Sequence, residues 1–255
     1  MTLSDYVAVI FLSGLITSLA VRLLTPGRGS TKTLLICQCL VVYTVTVSLS
    51  FVFPVYDAML GGRSYANLLS HLVLILVYAL LSREISRPFL RGGPVPLLLR
   101  NWVFITAAIG TVLSFASLSI GFSSRGADEF IGEIGWIAYW LFSTMGLWLV
   151  AFQMVPLLVK ARRNPRLRKL RSSYFCLMLG YAMSVLMAVG YILTWVDPDL
   201  VPVREVVVLL TMLALVISLI LVPFAKHRRL NAGAGVALGQ HRRWRQPCER
   251  VRHIT

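Results

Sequence analysis

Seven apolar runs, each close to the ~20 residues a bilayer core requires, constrain this chain more than any other feature. They cover about 6–24, 33–56, 66–82, 102–122, 131–159, 174–196 and 206–225, and the connections between them are short. Charged residues make up only 14% of the chain, against about 25% in a soluble domain. In hydrocarbon, a helix satisfies its own backbone groups, so runs of this length are expected to be helical. The expected fold class is therefore all-α: a polytopic membrane protein with a seven-transmembrane-helix bundle over 1–225 and a basic, flexible tail over 226–255. The third run is the shortest, and the fifth is over-long and carries Pro156.

Charge alternates from one connection to the next. The stretch KARRNPRLRKLR, Lys160 to Arg171, has seven Lys/Arg and no acid. Each such charge costs ~2.5–3.5 kcal/mol at a helix centre, so the stretch stays outside the hydrocarbon. The connections after runs one and three and the tail after run seven are also basic. The other side holds Asp5, then Asp57 with Arg63, then Asp128, Glu129 and Glu133 with Arg125, then Asp197, Asp199 and Glu205 with Arg204. The basic side totals +20 and the other −5, giving the net +15 of the chain. Positive charge collects on cytoplasmic loops. The N-terminus is thus expected outside and the C-terminus in the cytoplasm, with the chain in the plasma membrane. The same rule accounts for the positive charge without a nucleic-acid partner. No basic segment precedes the first run, which is expected to be retained rather than cleaved.

Several chemistries find no seat. Cys37 and Cys39 lie two apart and point in different directions on a helix, while Cys176 and Cys248 stand alone, so no metal or redox spacing is present. No cofactor is expected. GxxxxGK[ST], HExxH and GxSxG are missing, so no enzyme activity is expected either. Lys32, Lys160, Lys169 and Lys226 all lie in connections or the tail, which excludes a retinal Schiff base in run seven.

The informative polar pattern is in run three, where Asn67, His71, Tyr78 and Ser82 share one helix face. Such a face is expected to turn into the bundle, since amides and imidazoles lack partners in lipid. His71 can relay protons, sense pH or bind a ligand; the simpler reading is a neutral imidazole in an interhelical hydrogen bond. Glu133, at the start of run five, is its expected partner, or else an interfacial acid in water at a helix N-terminus. Tyr56 and Asp57, at the outer end of run two, are expected to join the same vestibule.

Run two is polar in two rows, Cys39, Tyr43, Thr46 and Ser50 beside Thr44 and Ser48, with Gln38 near its inner end. These groups either line a solute path or hold helices together, and Pro54 is expected to bend the helix. Gly110, Ser114, Ser117 and Gly121, then Gly180, Ser184 and Ala188, and Gly14 with Ser18, form small-residue stripes expected to let helices approach closely. Trp136, Tyr139 and Trp140, with Trp102 and Trp195, fit an interfacial belt, whereas Trp148 is read as packing. Arg162, Arg163, Arg166, Arg168, Lys169 and Arg171, and the tail with Trp244, can contact anionic lipid headgroups or a cytoplasmic protein partner.

The stretch FVFPVYDAMLGGRSYANLLSHLVLILVYALL, Phe51 to Leu81, resembles the matching segment of a family of actinobacterial seven-helix membrane proteins labelled as transporters without a known solute. The matching positions are Pro54, Tyr56, Asn67, Leu68 and His71. The long fifth run, the basic loop with Pro165, and Gly180, Tyr181, Gly190 and Tyr191 in the sixth are also similar. Longer members of the family carry a further cytoplasmic domain, whereas thirty residues follow run seven here. The resemblance implies a small-solute transporter. The alternatives are a membrane-embedded sensor or signalling subunit and a structural or assembly factor, alone or as a homo-oligomer. The inner halves of runs four, six and seven are nearly free of ionisable groups, which favours a pocket open on one side.

Overall fold

The computed structural model describes residues 9, 12–17, 19–20, 32–47, 49–90, 97–118, 128–163 and 171–218, and their regular structure is entirely helical. The helices are α1 (12–17), α2 (Lys32–Val47), α3 (Phe53–Met59), α4 (Tyr65–Leu90), α5 (Asn101–Ser117), α6 (Ile134–Arg163), α7 (Arg171–Val196) and α8 (201–218). Four stretches are long and apolar enough to cross a membrane: Tyr65–Glu84, Ile134–Lys160, Arg171–Val196 and Pro198–Ser218. Leu35–Val47 and Asn101–Ser117 are apolar but shorter. Outward faces are apolar as well, with Ile105, Ile109, Val112 and Leu113 exposed on α5 and Val203, Val206, Leu209 and Leu210 on α8. Apolar faces this extensive are costly in water and at home among acyl chains. The chain is a membrane-embedded helical protein.

Helix α6 is the hub and packs against α4, α5 and α7. Its buried line of Trp136, Leu147, Val150, Met154 and Leu158 runs nearly the whole length of the bundle. A second cluster joins Leu15 of α1, Cys37 and Val41 of α2, Val77 and Leu81 of α4 and Val216 of α8. Small residues set the closest approaches. A Cβ on Gly110 would stand 2.3 Å from Cδ1 of Phe142, and one on Gly180 would stand 2.7 Å from Cδ2 of Leu215. Ser114, Ser184 and Ala188 are buried beside them as the stripes require, but Ser117 is exposed. Gly121 and Ser18 lie outside the described residues.

Two expectations need correction. Run two is not one helix: α2 ends at Val47 and α3 begins at Phe53, with a turn between. Pro54, in the first turn of α3, has no N–H to give the carbonyl four residues back, so the ladder restarts there. Run three matches the apolar span Tyr65–Glu84, and its helix continues past the span to Leu90. The last helix begins at 201, directly after a 3-10 turn over Pro198–Leu200, because Asp197 accepts from the Asp199 N–H and starts the winding early.

The two ends of the bundle differ in charge. The starts of α4, α6 and α8 share one end with Asp57, Glu129, Glu133, Asp197, Asp199 and Glu205, together with Arg63 and Arg204. The opposite end holds Arg83, Arg100, Lys160, Arg162, Arg163 and Arg171, together with Glu84.

Candidate functional site

The site forms at the acidic end, and its geometry begins with how α4 is started. Leu60 to Ser64 make a tight reversal with Gly61 at φ +111°, Gly62 at +68° and Ser64 at +58°. Left-handed backbone of this kind is easy for glycine and costly for other residues, so a charged group holds Ser64 in place. Asp57 is fully buried; its Oδ2 accepts from the Ser64 N–H at 3.0 Å and its Oδ1 from the Ala66 N–H at 2.9 Å. The carboxylate thereby caps α4, where backbone donors lack intrahelical partners and the helix dipole favours an anion. Asp57 is thus a structural anchor rather than a lining residue of a vestibule. Tyr56, one residue earlier, bonds its hydroxyl to that of Tyr43 and ties α3 to α2 across the break.

One and a half turns into α4 stands His71. Its Nδ1 lies 2.8 Å from the Asn67 carbonyl oxygen and 2.7 Å from the Tyr139 hydroxyl. A carbonyl only accepts, so Nδ1 carries the proton and donates to it, leaving Nε2 with the lone pair in the neutral ring. Two aromatic edges hold the imidazole: Tyr139, with centroids 5.1 Å apart, and Trp140, at 4.9 Å and nearly perpendicular. Trp140 stacks on Tyr191 of α7 at 4.7 Å and 12°. Over Tyr191 and Trp136 lies the guanidinium of Arg204, 5.6 and 5.7 Å from the two ring centroids. Arg204 is 5% exposed. An unbroken chain of contacts therefore runs from the first turn of α8 through α7 and α6 to His71 on α4. Cation–π contacts of this desolvated kind are worth about 2 kcal/mol.

The cluster also presents donors. Nε1 of Trp136, Nε1 of Trp140 and the Thr194 hydroxyl are buried without a hydrogen-bond partner. Each such group costs about 1–3 kcal/mol until an acceptor meets it. A small molecule with carbonyl, carboxylate or phosphate oxygens supplies acceptors of that kind.

The expected site residues are brought together only in part. Asn67 and His71 meet, through the Asn67 backbone. Glu133 does not reach them: it is exposed just ahead of α6, and Tyr139 lies six residues on, about 9 Å along the axis. Its carboxylate makes no ion pair or hydrogen bond among the described residues, because the N-terminus of α6 keeps it at the solvent edge. Tyr78 is buried two turns below His71 and packs with Val103 and Phe104 in the main core. Trp136 and Tyr139 are buried, at 0% and 1% exposure, and form the inner wall of the cluster rather than a belt. Thr44 and Thr46 donate to the carbonyls of Leu40 and Val42 on their own helix. Arg162, Arg163 and Arg171 gather at the other end; Arg166, Arg168, Lys169, Ser48 and the 226–255 tail lie outside the described residues.

Arg204 is the residue that reading by connections missed, since it was grouped with the loop acids around it. The signal was present: Arg204 stands just ahead of the apolar run Val206 to Leu210, at the start of a membrane helix, where a cation requires a built environment. Compared with known proteins, the chain matches no family model, no curated sequence and no solved structure.

Proposed function

We propose that the chain is a seven-helix, multi-pass protein of the cell membrane that receives a small ligand in the Arg204–His71 cluster and acts as a sensor or signalling subunit. The N-terminus is outside and the basic end meets the cytoplasm. The single observation that carries this reading is the one-sided placement of charge. Among the described residues the buried charged side chains are Asp57 and Arg204, both at the acidic end. Toward the basic end the buried polar side chains, Gln38, Ser82, Ser173 and Ser218 among them, are uncharged, and Leu99, Val103, Leu147, Val150, Met154 and Leu158 pack the core. A half with no buried charge suits a receptor that passes on a shape change, whereas carriage of a solute needs a polar route from both faces.

Transport is the second reading, favoured by the break between α2 and α3, because interrupted helices recur in carriers. The resemblance to a transporter-labelled family points the same way. His71→Cys, probed with an impermeant thiol reagent from each face, separates the two. Labelling from outside alone is the outcome for a sensor; labelling from both faces means alternating access and sinks it.

A pH measurement tests His71 itself. Protonation of an imidazole against Trp140 quenches indole emission, so the folded protein loses tryptophan fluorescence on acidification and His71→Ala removes that step. An identical profile in the variant takes His71 out of the site. Orientation has its own test: changing Arg162, Arg163, Arg166, Arg168 and Arg171 to glutamate shifts the reporter signal of a fusion at the C-terminus toward the outside. An unshifted signal means that the loop does not set the topology.

A further inference from the structure

We propose that the cavity between the end of α6 and the start of α7 binds a phosphate group, and that its source is an anionic phospholipid. This cavity, of about 590 Å³, is lined by Arg162, Arg163, Arg171, Ser172, Phe175 and Cys176. Three guanidinium groups and a hydroxyl face one space with no carboxylate among the lining residues, and like charges so placed repel until an anion joins them. Arg162 lies over the Phe175 ring at 4.9 Å, which fixes one cation against the wall. The first turn of α7, starting at Arg171, adds backbone N–H groups that have no partner within the helix.

The apolar surface leading away from the cavity decides between a lipid and a free anion. Phe175, Leu179, Leu186, Val189 and Leu193 are all exposed, at spacings of four, seven, three and four that keep them on one stripe of α7. A molecule with a phosphate at one end and acyl chains at the other covers both the guanidinium groups and the stripe. Inorganic phosphate covers only the first. That the cavity faces the cytoplasmic leaflet rests on the orientation proposed above; the cavity and its chemistry do not.

Cys176, half-buried in the wall, is the reporter. The full-length protein is placed in phosphatidylcholine vesicles with or without phosphatidylglycerol, and alkylation of Cys176 by a neutral maleimide is followed by mass spectrometry. Phosphatidylglycerol is expected to slow the reaction roughly tenfold, given how strongly clustered cations attract anionic lipid. Arg163→Gln/Arg171→Gln abolishes the protection, whereas Arg83→Gln, an equal-sign charge loss at a residue that does not line the cavity, preserves it. Equal rates in the two vesicle types, or full protection in the double variant, overturn the site. Protection by inorganic phosphate in phosphatidylcholine alone, matching that by phosphatidylglycerol, overturns the lipid source. In intact cells an impermeant maleimide leaves Cys176 unlabelled; labelling there overturns the leaflet while the vesicle result still judges the cavity.

Discussion

Asp57→Ala lowers the stability of the folded protein by about 3 kcal/mol, the largest effect expected of any single polar replacement here. The carboxylate is buried and accepts from two backbone N–H groups, of Ser64 and Ala66. Hydrogen bonds to a charged group contribute about 1.5–3 kcal/mol each, and the alanine leaves both donors buried with nothing to meet them. The consequence spreads because these are the donors that begin α4, the helix carrying His71. Asp57→Asn keeps one acceptor oxygen and is expected to retain about half of the loss. For a chain of this size the alanine variant should melt about 6–12 °C below the parent in mild detergent. If its melting temperature matches that of the parent, the carboxylate is not what holds the start of α4.

Gly110→Ala is the second large effect, and it is steric. The new methyl would lie 2.3 Å from Cδ1 and 2.4 Å from Cγ of Phe142, so either the ring leaves its rotamer or α5 and α6 part. Overpacking of this kind costs about 1–3 kcal/mol. Trimming the opposing ring removes the clash: in Gly110→Ala/Phe142→Ala the glycine change should cost at least about 1 kcal/mol less than it does alone. Additive losses would mean that the two helices are not held together at this point. The pair matters for function because Tyr139 and Trp140, the aromatic walls of the His71 site, sit on the same stretch of α6 as Phe142.

Much of this was legible from residue order alone, and the reason is solvent. Lipid rewards apolar length and penalises unpaired backbone, so helices α4, α6, α7 and α8 follow from hydropathy. Charge alternation separated the two ends for the same reason, since a cation resists entering hydrocarbon wherever it falls in the chain. Gly110 and Gly180 were readable as contact points because only small residues let helices meet closely in lipid. His71 was readable as inward-facing, because an imidazole needs company.

Its company was not readable. Glu133 and Trp140 both precede the middle of α6, and no one-dimensional pattern distinguishes the residue at the solvent edge from the one lying 4.9 Å from the imidazole. Asp57 shows the same limit: its partners are seven and nine residues away through a reversal whose shape depends on Gly61 and Gly62. Arg204 depended on two other helices, α6 and α7, to become a buried cation against the rings of Trp136 and Tyr191. Residue order determined that these segments are helices, which end each occupies and which faces are apolar, because those properties follow from each residue's transfer into lipid. Only the tertiary structure decided which polar groups meet, because a hydrogen bond or an aromatic contact is won or lost over an ångström set by helices far apart in the chain.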